Sequence, residues 1–144
     1  MQISNTPRPE PLELDMRLTV NTWSGPVLHS DETEDPAAVD VHAAIARLDG
    51  AACSEASLTR EMPFSHLTAA GGPDLYLVTG ETAAGEILHL TDPHAGNAPV
   101  SLVCGGQLSE FARHDLVGRD RAAAALIRFL DAGDYDRDHA WHVS

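Results

Sequence analysis

Residues Arg119 to Ala132 constrain the fold more than any other stretch of the chain. They contain no Gly, Pro, Val or Thr, and four consecutive alanines precede Leu126, Ile127, Phe129 and Leu130. Ala122, Ala125, Leu126, Phe129 and Leu130 follow the i, i+3, i+4, i+7, i+8 spacing, so a helix here gathers them into one apolar stripe that must cover something. Asp120 in the first turn suits the helix dipole, and Gly133 stands where a left-handed residue commonly ends a helix. Arg128 faces away from the stripe. Alanines permit close approach to a sheet and Phe129 with Leu130 supplies bulk, so the spacing predicts a helix that lids an open sheet.

The chain in front of it supplies the sheet. Leu12, Leu14, Met16, Leu18 and Val20 alternate with Glu13, Asp15, Arg17 and Thr19, which is the period of a strand with one wet face. Trp23 follows, and Ser24-Gly25-Pro26 is a turn signal before a short apolar return at Val27 and Leu28. Asp31 to Asp35 reads as an acidic loop. Its closing Asp35-Pro36 fits N-cap and N1 of a first helix, in which Val41, Ala44, Ile45 and Leu48 share a face and Gly50 marks the end. Glu55 to Met62 alternates again, with mixed faces, and Pro63 to Pro73 reads as a loop around Gly71-Gly72-Pro73.

Asp74 to Thr79, Glu86 to Thr91 and Val100 to Cys104 are short runs separated by turn-rich connectors, which favours sequential antiparallel pairing as a meander. Gly105-Gly106 marks a turn or bulge, Gln107 to Arg113 returns as a further edge strand, and His139 to Val143 forms a last short strand around Trp141. Strands flanked by an N-terminal and a C-terminal helix indicate an α+β layer fold. Residues 1–11, with three prolines, read as a flexible arm, and 12–144 as a single domain.

Composition narrows the function. Nine basic residues against 22 acidic ones give a formal net charge of −13 at pH 7, and there is no lysine. Such a chain is poorly suited to direct contact with phosphate backbones, which needs clustered Lys and Arg. Two readings of the charge stay open: solubility in an acidic, alanine-rich proteome, or steering toward a basic partner. No apolar run approaches the roughly 20 residues of a membrane span and no secretory signal pattern opens the chain, so the expectation is a cytoplasmic protein with no membrane contact. Cys53 and Cys104 are expected to stay reduced.

A search for chemistry finds no motif. His139-x-x-His142 is the one close histidine pair, but in a strand the two side chains point to opposite faces and no third zinc ligand lies nearby. The cysteines lack a CxxC or His partner, the serines lack a nucleophile-elbow context, and the Gly-Gly pairs are not followed by the Lys-Ser/Thr of a phosphate loop. Asp134, Asp136 and Asp138 have the opening spacing of a calcium loop without its later Gly and Glu, which leaves them a solvated acidic edge. No catalytic residue, metal or cofactor is expected.

The order of these segments resembles the immunity proteins of bacterial polymorphic toxin systems, specifically the family numbered one, common in actinomycetes. The likeness rests on a first strand with a Trp (Leu18 to Trp23), a helix near Val41 to Gly50, a meander with Gly-containing turns, Gly105-Gly106, and Ala125 to Gly133 followed by Trp141. It departs from the family at Gly118, where a proline commonly opens the last helix, and at Asp134 to Asp138, where a proline is usual before the Trp. The resemblance implies neutralisation of a cognate toxin, often a nucleic-acid-modifying enzyme, and supplies no catalytic residues. The partner-binding residues expected on that basis are Asp31, Glu32, Glu34 and Asp35 before the first helix and Asp134, Asp136 and Asp138 after the last, both at loops on helix ends. The alternative is a small-molecule-binding or regulatory domain with a pocket between sheet and helix.

Overall fold

Helix α2 spans Arg119–Ala132, as its apolar spacing predicts, and it closes on Gly133, whose left-handed backbone lets its N–H donate to the Phe129 carbonyl. The computed structural model describes residues 15–135 and 140–144. Ala122, Ala125, Leu126 and Phe129 of α2 are buried and Leu130 is partly so. Phe129 packs its ring 5.3 Å from that of Tyr135, whose hydroxyl donates to the His66 and Glu81 carbonyls. The segment just past the helix is thereby tied to the middle of the sheet.

The sheet is antiparallel. Strand β1 (Met16–Ser24) forms a hairpin with β2 (Val27–Glu34), and after helix α1 (Ala38–Arg47) the chain returns as β3 (Cys53–Glu61), β4 (Phe64–Gly71), β5 (Leu75–Glu81) and β6 (Ile87–Leu90). A ribbon of β7 (Pro99–Cys104) and β8 (Gln107–Ala112) follows, then a two-residue strand β9 (Val117–Gly118), α2 and finally β10 (Trp141–Val143). The large sheet runs β10-β6-β5-β4-β3-β1-β2, with β9 added against β5. Both helices lie on one face, giving the α+β layer architecture expected from the sequence.

Side-chain alternation fixes that face. Met16, Leu18 and Val20 stand opposite Arg60, Leu58 and Ala56, and the same rows continue through Leu67, Ala69, Val78 and Leu88. All but Arg60 are buried, with Val41, Ala44 and Ile45 of α1 and the α2 stripe above them.

Several segments differ from the sequence expectation. Asp31 to Asp35 is not a loop: Asp31 to Glu34 pair with Val20 to Arg17 as the second half of the β1–β2 hairpin. All eight residues of β2 are exposed, so no apolar period reveals the strand, and its conformation is imposed by the pairing with β1. Helix α1 starts two residues late, with Ala37 at the cap; the Asp40 carboxylate accepts from the Ala37 N–H, while Asp35 adopts φ of 49°. The stretch 63–73 holds a central strand, β4, whose small Ala69 and Ala70 carry little strand signal and whose ends are masked by Pro63 and Gly71-Gly72-Pro73. The meander stops at β6. Strand β7 pairs with β8 in a separate two-stranded sheet, and β6 takes β10 as its neighbour. Residues 12–14 of the expected first strand and His139 of the expected last one lie outside the described residues.

Candidate partner-binding surface

The face of the sheet turned away from the helices carries the polar half of each alternation. Glu32, Thr19, Ser57, Thr68, Thr79, His89 and His142 stand opposite one another in a row that crosses β2-β1-β3-β4-β5-β6-β10. The Ser57 and Thr68 hydroxyls are 2.7 Å apart, and His89 Nε2 donates to the Asp115 carbonyl at 2.8 Å. A second row, one step along, holds Glu34, Arg17, Thr59, His66, Glu81 and Ile87. Beyond it Glu61 faces Phe64.

The other end of this face is closed by the β7–β8 ribbon, which packs on β3 and β4. Gly106 N–H donates to Ser54 Oγ at 2.8 Å with the Trp23 indole against the turn, and Leu102 lies over Gly71. Nearby on the same face Ser30 donates to Asn21, which in turn donates to Glu55. Cys104 lies there too. Burial, with the Glu55 carboxylate adding to it, pushes its thiol up to about 11, so it is protonated at neutral pH and is no nucleophile. Both cysteines are free.

The expected acidic residues separate by strand parity. Asp31 projects to the helix side, where Arg47 Nη2 reaches its carboxylate at 3.1 Å; Glu32 and Glu34 project to the open face. Asp35 lies past the strand end, beside Pro36, Leu130 and Asp131 around a hollow of about 420 Å³. Asp134 receives both a 2.7 Å bond from Arg128 Nε and a 3.3 Å bond from Nη2. Asp136 and Asp138 lie outside the described residues. Of the five described carboxylates, Glu32 and Glu34 therefore share the open sheet face instead of a loop, Asp31 and Asp134 are held in ion pairs to the helices, and Asp35 lies past the strand end.

On the open face the charge is unbalanced. Arg17 is bonded to Glu61 at 2.7 Å, and that bond, with the fields of Glu61, Glu32 and Glu34, holds its guanidinium above the ordinary range. Three carboxylates around one guanidinium (3 − 1) leave two negative charges uncompensated. Glu32, Glu34 and Glu81 make no ion pair among the described residues. Sequence reading missed Phe64, His66, Ile87 and His89 as members of this surface. The signal for the last two was the alternation of Glu86 to Thr91, but a single strand does not say which of its faces is wet.

A cleft of about 720 Å³ lies at the opposite edge and is lined by His89, Asn97, His114, Asp115, Trp141 and His142, not between sheet and helices. The hollow between α1 and the sheet, near Leu18, Val20 and Arg47, measures only about 160 Å³. No group of three or more His, Cys, Asp or Glu side chains is placed to hold a metal among the described residues. None of their helices is long and apolar enough to cross a membrane. Comparisons with protein-family models, with curated proteins and with solved structures returned no match.

Proposed function

We propose that this chain is a binding protein that neutralises a basic partner, in the manner of an immunity protein acting on a toxin domain inside the producing cell. One observation carries the reading: an uncovered sheet edge whose Glu32 and Glu34, with Glu61, outnumber the single Arg17 among them. An exposed strand edge is a template for further pairing, and acidic side chains along it repel another copy of the same chain while attracting a cationic surface. The overall charge of −13 extends that attraction to longer range and speeds encounter. A nucleic-acid-modifying enzyme, with its cationic substrate cleft, is a partner of that kind.

A second reading, a small-molecule-binding domain, is favoured by the imidazole-lined cleft of about 720 Å³, a volume within the ordinary range for ligand sites. The neighbourhood of the gene separates the two. The first reading expects an adjoining gene for a large secreted protein with a basic C-terminal domain, and co-expression of this chain should restore growth to cells producing that domain. Unrestored growth with both proteins soluble, or a biosynthetic cluster in place of such a gene, contradicts it.

A further inference from the structure

The part of the open face beyond the hydroxyl row has the make-up of an interface core. Phe64 on β4 is 52% exposed and Ile87 on β6 is 47% exposed, although both are large apolar side chains on a sheet whose core lies on its other face. They flank His66 and Glu81, which stand opposite each other between them, and the His66 ring lies 5.7 Å from that of Phe64. Glu61 faces Phe64 across the strand pair, and Glu34 ends the row of His66, Glu81 and Ile87 on β2. The two apolar anchors thus have one carboxylate, Glu81, between them and others, Glu61 and Glu34, on the β2–β3 side. An apolar centre with a charged rim is how recognition surfaces are built, whereas solubility alone gives no reason to leave an aromatic ring and an isoleucine uncovered on one face.

We propose that the basic partner docks across this outer half of the open face, with Phe64 and Ile87 as its apolar contacts and with Glu81 between them and Glu32, Glu34 and Glu61 on the β2–β3 side receiving arginine or lysine side chains. This rests on the basic-partner reading and adds where contact is made and what the partner presents: a cationic protein surface with an apolar side chain between its charges. Charge complementarity selects that occupant. A second copy of this chain would bring Glu32, Glu34 and Glu81 against their own kind, with no arginine but Arg17 on the same face among the described residues to relieve them.

The probe is a synthetic peptide of alternating arginine and leucine, titrated into isotope-labelled full-length protein at low and at physiological salt while backbone amide shifts are followed. Shifts centred on β4 to β6 around Phe64, His66 and Ile87 and reaching Glu32 and Glu34 are expected. Phe64→Ala with Ile87→Ala should weaken binding about tenfold or more, as loss of central apolar contacts does. Val39→Ala, on an α1 residue that is 70% exposed, should leave it unchanged. The double alanine variant truncates half-exposed side chains outside the buried core, and an amide spectrum unchanged away from the two positions confirms that it is folded. Shifts confined to the helix side around Asp31, Asp35 or Asp134, or unaltered affinity of the double variant, overturn the docking face while the basic-partner reading survives. No binding even at low salt overturns both, and concentration-dependent dimerisation of the free protein through Phe64 shows the occupant to be a second copy.

Discussion

Replacing Phe129 by alanine is expected to cost about 3 to 5 kcal/mol, the range for deleting a buried phenylalanine ring. Phe129 is fully buried, packs on Tyr135 and belongs to the stripe by which α2 covers the sheet. The cavity would open between helix and strands, where neither layer can collapse because each is held by its own backbone hydrogen bonds. On a domain of this size the loss corresponds to a fall in melting temperature of roughly 10 to 20 °C. Denaturant unfolding measures it directly, and a loss below about 1 kcal/mol would mean that the α2 face is not seated as described.

A comparable effect is expected at Gly72, for a different reason. Its φ of +94° is a region L side chains rarely adopt, and an added Cβ would run into the Leu48 carbonyl at the end of α1. The contact joins the loop between β4 and β5 to the C-terminus of α1, so relief requires one of them to move off the core. Gly85 is the matched control: its φ is +89°, and nothing lies within 4 Å of the position a Cβ would take. Gly85→Ala should cost about 1 to 2 kcal/mol, the backbone penalty alone, and Gly72→Ala more than about 3 kcal/mol. Equal losses at the two positions would contradict the close approach to Leu48.

These two positions also show what a sequence discloses. Helix α2 was legible to the residue because an amphipathic helix on a sheet writes its burial into a 3.6-residue period, and Gly133 wrote its end. Strand β1 was legible for the same reason at period two. Strand β2 was not, since an edge strand with no buried side has no period to show, and its eight residues are extended only because β1 holds them so. Strand β4 hides behind small residues and turn-forming flanks, although it lies near the centre of the sheet. The β7–β8 alternation was readable, but its choice of each other over β6 is a tertiary outcome. The site followed suit. The excess of carboxylates was plain in the composition, yet whether Asp31 to Asp35 is a loop or a strand decides which of them act together, and parity sends Asp31 to Arg47 while it aligns Glu32 with Glu34. Phe64 and Ile87 enter the surface only through register.

Association kinetics with the proposed basic partner, measured across a salt series, test the central claim most directly. Screening shortens the reach of exposed charges to about 8 Å at physiological ionic strength, so a steered encounter slows as salt rises. The account predicts that Glu32→Gln with Glu34→Gln slows association and flattens its salt dependence. It predicts parental behaviour for Asp31→Asn with Asp134→Asn, whose carboxylates are already engaged by Arg47 and Arg128. If the glutamate pair associates like the parent at every salt concentration while the aspartate pair does not, recognition lies on the helix side and the open face of the sheet is not the binding surface.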